Sequence, residues 1–228
     1  MVILYKLTSR SRPAKMYKAY KSVIDNAELP YKIVLSIDID DDATMNSLEL
    51  LQIKQYSGLQ KYLNSENSID IVVGTSKNKI DAINRDVPKS GWDILVNLSD
   101  DQVFTCKGFD KVIAEHCTNS TFLHLPDGYV NERLATMSIM GYDYYKRFNY
   151  IYHPDYASLW CDNEAMEVAQ ALGCYKYVNE HIFTHEHPAW TGEKPDAQLE
   201  HTQKFYRQDE RTFRKRKALN FPISSVYS

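Results

Sequence analysis

Apolar positions in the first hundred residues follow two alternating rhythms. Short runs at 2–7, 31–39, 69–73 and 92–98 have the length and side chains of buried strands. Between them the spacing becomes helical. Met16, Tyr17, Tyr20, Val23, Ile24 and Ala27 give an apolar face to a helix running from Pro13 to about Glu28, with Pro13 suited to its first position. A second helix is predicted over 47–63, and a loop beginning at Ser76 passes into a short helix near Asn84. Strands alternating with helices predict the α/β class, a mixed and mainly parallel sheet flanked by helices.

Beyond residue 101 the rhythm loosens. Helices are predicted over 109–117 and 143–148, separated by an irregular stretch around His124-Leu125-Pro126-Asp127-Gly128. An aromatic loop then runs through Trp160 to a helix over 163–172 closed by Gly173, followed by one strand over 175–183 and a polar helix over 197–217. No repeat, low-complexity segment or linker divides the chain. One domain over 1–228 is expected, with a first half to 101, a second to 196 and a helical tail.

Composition narrows the setting. With 43% hydrophobic and 25% charged residues the chain is globular in type. No apolar run approaches the ~20 residues of a membrane span, and the opening apolar segment is too short for a signal peptide. A soluble, unprocessed chain without a transmembrane segment is expected. Cys106, Cys117, Cys161 and Cys174 stand apart without a CxxC pair, which argues against a zinc cage or disulfide framework and for reduced, cytoplasmic thiols. The net charge of -3 provides no global attraction to nucleic acid. The tail's Lys204, Arg207, Arg211, Arg214, Lys215, Arg216 and Lys217 read as a solvated helix face or, with Phe205, Tyr206 and Phe213 interleaved, as a contact for an anionic acceptor or membrane surface.

Candidate chemistry collects at the strand ends. In open α/β sheets ligands bind beyond the carboxyl ends of the strands. That edge would gather residues 8–12, 38–42, 76–84 and the pair Asp100 and Asp101. Two adjacent carboxylates either cap the next segment in water or share a hard divalent cation, manganese or magnesium. Cations, hydroxyls and amides in the same crevice suit a nucleotide diphosphate. Asp162, after the apolar lead-in Leu159-Trp160-Cys161, reads as a helix cap or as a partly desolvated general base. His185 and His187 would share one side of a strand, and either imidazole could complete a metal site begun by aspartates.

These segments in this order resemble the inverting glycosyltransferases of the GT-A fold, most closely family 2-like enzymes of bacteria and viruses. The resemblance rests on TSRSRP at 8–13, SIDIDDD at 36–42, NKIDAINRD at 78–86, WDILVNLSDD at 92–101, IMGYDYYKRFNYIYHPDYASLWCDNE at 139–164 and THEHP at 184–188. It implies a nucleotide-diphosphate sugar donor, an acceptor hydroxyl and a divalent metal. Ser99-Asp100-Asp101 stands where the family has a DxD-type metal motif, so Asp101 corresponds to the metal-binding acid, while Ser99 departs from the pattern. Asp100 is left for ribose, sugar or metal.

Asp162 corresponds to the family's catalytic base, with Cys161 where a glutamate is common, and His185 or His187 to a metal-binding histidine. Thr8 and Arg10, with Asp38 or Asp40, would meet the nucleoside; Lys79 and Asn84 fall where the family approaches base or phosphate. The acceptor class stays open among glycan, lipid-linked, protein and modified nucleic acid, and the tail would lie near it or at a homo-oligomer interface. The expected setting is the cytoplasm of a bacterium or of a virus-infected cell. A nucleotidyltransferase would normally open with a glycine-rich phosphate loop, and TSRSRP has no glycine. A non-catalytic nucleotide- or glycan-binding module is the other alternative.

Overall fold

The computed structural model describes residues 1–63, 65–192 and 194–222. The strands are β1 (Ile3–Thr8), β2 (Tyr31–Asp38), β3 (Ser68–Gly74), β4 (Ile94–Ser99), β5 (Gln102–Phe104), β6 (Phe122–His124), β7 (Ile139–Gly141), β8 (Tyr175–Tyr177) and β9 (Phe183–His185). The helices are α1 (Pro13–Asn26), α2 (Asp42–Met45), α3 (Leu48–Tyr62), α4 (Lys79–Asn84), α5 (Phe109–His116), α6 (Tyr142–Phe148), α7 (Cys161–Ala171), α8 (Pro188–Thr191), α9 (Ala197–Gln203) and α10 (Tyr206–Ala218).

Seven strands form one sheet in the order β3-β2-β1-β4-β7-β6-β8, while β5 and β9 pair separately. The first four strands are parallel and β7 runs against β4. Because the chain moves outward from β1 to β3 and returns on the other side as β4, the sheet has a switch point between β1 and β4. A crevice opens there at the carboxyl ends.

Strand alternation assigns the two faces. Ile3, Tyr5 and Leu7, with Ile33, Leu35, Ile94 and Val96, pack under α1, α3 and α5 through Met16, Tyr20, Ile53, Phe109 and Ile113. On the reverse face Leu4, Val34 and Leu95 pack against Ile80 and Ile83 of α4, Tyr144 of α6, Ala169 of α7 and Phe213 of α10. That second face turns polar toward the strand ends. Lys6 lies opposite Asn97, and Thr8 lies opposite both Ser36 and Ser99. The fully buried Lys6 ammonium donates to Ser36 Oγ at 2.7 Å and Ala82 O at 3.1 Å, and burial lowers its pKa to about 7.

Two expectations change. The strand expected over 175–183 is two strands in different sheets: β8 extends the main sheet beside β6, and β9 pairs antiparallel with β5. Residues 178–182 cross between them, so short pairing partners, not local propensity, set the boundaries. The tail helix is also interrupted. The Lys204 N–H bonds back to His201 O and the Phe205 N–H to Thr202 O, a tightened turn that ends α9 before α10 begins. This bend lets Thr202, Asp209 and Phe213 all become buried. Among the described residues no helix is long and apolar enough to cross a membrane.

Candidate active site

A cleft of about 800 Å³ lies over the switch point. Its first wall comes from the ends of β1, β2 and β4, the loop after β3 and the start of α4. The second comes from residues 130–136, the segment entering α7, and residues 185–190 and 197–205. Thr8, Arg10, Asp38, Asp40, Lys79, Asp100, Asp101, Asp162, His185 and His187 all line this cleft. Asn84 does not. Its Nδ2 donates to Tyr152 O at 2.6 Å and its Oδ1 accepts the N–H groups of Ile151 and Tyr152 at 2.9 and 3.1 Å, so the amide is committed to holding the aromatic loop.

The loop after β1 is fixed by carboxylates. Arg10 makes a two-pronged contact with Asp40 at 2.8 Å and reaches Asp38 at 3.1 Å; Ser76 Oγ donates to the other oxygen of Asp38 at 2.6 Å. Arg12 spans the cleft floor from Asp100, at 3.3 Å, to Asp196 before α9. Asp100 also accepts from Ser9 Oγ at 2.7 Å. Burial and the charge of Asp101 raise the Asp100 pKa, while Arg12, Ser9 and Lys79 oppose that rise. Asp100 is thereby tied to the β1 loop.

Asp101 is held differently. Its Oδ2 lies 3.5 Å from His185 Nε2, and His185 Nδ1 lies 3.5 Å from Asp127 Oδ2. Burial disfavours a charged imidazole here, yet the two carboxylates outweigh it and raise the His185 pKa to about 9. The same imidazolium holds Asp101 and Asp127 well below the usual carboxylate range, against the upward pull of burial. Asp127 is itself fixed by the N–H groups of Tyr129, Val130 and Asn131, which donate to its Oδ1 at 2.8–3.1 Å. Asp127 thus stands behind His185 at ion-pair distance without a hydrogen bond, where metal-binding imidazoles commonly have a carboxylate. Asp127 was part of the irregular stretch at sequence level; the Pro-Asp-Gly turn signal was the available clue.

His187 departs from the expectation of a shared strand face. The strand ends at His185, and His187 caps α8 by accepting the Ala189 N–H on Nδ1 at 3.2 Å. The two rings still lie 5.7 Å apart. Burial and the neighbouring His185 charge lower the His187 pKa.

Asp162 sits in the first turn of α7, two residues before Glu164, and the helix begins at Cys161, earlier than expected. Its Oδ1 accepts the Asn163 N–H at 2.9 Å. Burial raises its pKa, opposed by that hydrogen bond and the charge of Lys79. Trp160, the residue before the helix, has φ +63°, an uncommon conformation for an aromatic residue. What holds this entry segment comes from far along the chain. The fully buried Asp209 of α10 accepts the N–H groups of Ala157, Ser158 and Leu159 at 3.0, 2.8 and 2.8 Å. Arg216 then grips Glu164 through Nε and Nη2 at 2.8–3.1 Å, and Tyr156 donates to the same carboxylate at 2.7 Å. None of the tail's Lys or Arg residues lines the cleft.

Among the described residues no group of three or more His, Cys, Asp or Glu side chains forms a metal cage. The fit of a divalent cation rests on Asp101 and His185. Asp101 Oδ1 and His185 Nδ1 are both buried with no hydrogen-bond partner, and His185 lies at ion-pair distance, 3.5 Å, from both Asp101 and Asp127. Magnesium-type ions need only one or two protein carboxylates when substrate phosphates supply other oxygens, so two protein groups suffice.

No protein-family model matches the sequence, and no curated protein does. Similar solved structures include the mannosyltransferase PcManGT from Pyrobaculum calidifontis in complex with GDP-Man and Mn2+, at 9% identity and TM-score 0.56 over 78% of this chain. They also include S. aureus TarS, at 13% identity and TM-score 0.58 over 82%, and S. aureus TarS 1-349 in complex with UDP-GlcNAc, at 12% and 0.56 over 81%. The chain spans 54%, 37% and 58% of those three chains. The likeness is one of fold: a seven-stranded, mostly parallel sheet flanked by helices, the GT-A fold.

Proposed function

We propose that the protein is an inverting glycosyltransferase that moves a sugar from a nucleoside diphosphate to an acceptor hydroxyl. The observation that carries this reading is one cleft holding Asp100, Asp101 and His185 at the strand ends and the half-buried Asp162 on its wall. The neighbours support it, since they include complexes with GDP-Man and Mn2+ and with UDP-GlcNAc.

Asp101 and His185 would hold a divalent cation, manganese or magnesium, with Asp127 behind the ring. When bound, such a cation neutralises charge building on a diphosphate leaving group. Lys79, whose field reaches Asp100, Asp101 and Asp162, adds a second positive charge on the same wall. Asp162 takes the acceptor hydroxyl's proton as that oxygen attacks the anomeric carbon from the face opposite the leaving group, which inverts the centre. The Arg10 loop with Asp38 and Asp40 borders the nucleoside end.

Thermal denaturation with UDP or GDP, with and without manganese, tests the donor site. At one hundred times Kd a ligand adds about 2.7 kcal/mol of stability, which for this size shifts Tm by roughly 5–10 °C. The Asp101→Asn variant is expected to lose the manganese-dependent part of that shift. No shift with any nucleotide and manganese would overturn the proposal.

A further inference from the structure

The two cleft walls differ in charge. Arg10, Arg12, Lys77 and Lys79 line the donor wall, whereas the described part of the facing wall, over residues 130–136, 157–162, 185–190 and 197–205, contributes no Lys or Arg to the lining. Its ionisable lining groups are Asp162, the Cys161 thiol and three histidines. Phosphate-bearing acceptors are bound through Lys and Arg contacts, and this wall supplies neither; the positive charges that reach Asp162 are those of Lys79 on the opposite wall and of His185, which is already paired with Asp101 and Asp127.

The same wall is apolar and aromatic. Val130, Leu134, Trp190, Leu199 and Phe205 line it, with Gln198 and Gln203 beside them. Trp190 is 43% exposed, and of the exposed large hydrophobic residues it alone, among those described, faces the cleft. Its ring stacks on Tyr129, centroids 5.4 Å apart and planes within 10°. An indole braced on one side and open to a cleft presents a negative π face, matched by the positively polarised C–H face of a pyranose. The glutamine amides suit its hydroxyls.

We propose that Trp190, braced by Tyr129, is the stacking platform for an uncharged sugar ring of the acceptor, whose hydroxyl is presented to Asp162. This rests on the glycosyltransferase reading above and names its acceptor class: a neutral glycan, not a nucleic acid or a phosphorylated lipid.

The chain has three tryptophans, so the full-length protein labelled with 5-fluorotryptophan gives a resonance for Trp190 that Trp190→Phe identifies. With UDP or GDP and manganese present, it is titrated with methyl glycosides of glucose, galactose, mannose and N-acetylglucosamine. Parallel titrations use glucose 6-phosphate, a single-stranded oligothymidine and phosphatidylglycerol vesicles. At least one methyl glycoside is expected to shift the Trp190 resonance, with affinity reduced tenfold or more in Trp190→Ala and partly restored in Trp190→Phe.

Tighter binding of an anionic probe, or glycoside binding indifferent to Trp190→Ala, would overturn the inference; so would the absence of any glycoside binding. Nucleotide-dependent thermal stabilisation of each variant is measured alongside. Its loss in the unsubstituted protein would defeat the donor-site reading, whereas intact nucleotide binding with a negative glycoside result defeats only the acceptor assignment.

Discussion

Replacing Asp162 by asparagine is expected to lower kcat about 10²- to 10⁴-fold, the range that a positioned general base contributes, while nucleotide affinity stays within about twofold. Asparagine keeps the shape and the carbonyl that accepts the Asn163 N–H, so α7 retains its first turn. What it loses is the ability to take a proton. The pH dependence follows from the same carboxyl. Burial raises its pKa, so more of it is protonated at a given mildly acidic pH than of an ordinary aspartate near 3.9. A base works only when deprotonated, and kcat should therefore fall as pH is lowered through a limb lying above that ordinary value. In Asp162→Asn this limb is expected to vanish. An unchanged rate, or an unchanged acid limb with the rate lowered, would remove Asp162 from the role of base.

Asp209→Ala is expected to cost roughly 3–5 kcal/mol, since it leaves two buried N–H groups and one partly buried N–H group without their acceptor. For a protein of this size that is a Tm loss of roughly 6–20 °C, measurable by calorimetry without substrate. Asp209→Asn retains one acceptor oxygen and should fall between the two. Because residues 157–159 lead directly into Cys161 and Asp162, the asparagine variant should also lose kcat more than it loses nucleotide affinity. A Tm within 1–2 °C of the parent would show that those amides find other partners, and the tail would then have no part in holding the catalytic segment.

The first four strands, α1, α3 and α4 were legible because their cores obey simple periods. The β1 positions Ile3, Tyr5 and Leu7 face one way and Leu4 the other, and Met16, Tyr20 and Val23 repeat at helical spacing. The cleft residues at the ends of those strands followed from the same reading, since a parallel sheet gathers its loops at one edge. Thr8, Asp38 and Asp101 were found in this way. Asn84, at the end of α4, does not line the cleft: its place near the strand ends was legible, but not that its amide is consumed by the backbone of Ile151 and Tyr152.

The second half was less legible because its strands are three residues long and partnered by segments distant in sequence. Phe122 pairs with both Met140 and Tyr175, and Gln102 pairs with His185. No local pattern specifies such partners. Local sequence was enough to set the alternation of strand and helix, the polar strand ends and the residue types available at the cleft, because these depend on side-chain period and on short-range turn chemistry. Folding in three dimensions selected among them: it placed Asp127 behind His185, Arg12 against Asp196, Asp209 under the segment before Asp162, and Trp190 on Tyr129. Each of those four contacts joins residues 50 or more positions apart, and burial makes an unpaired polar group too costly to leave in place.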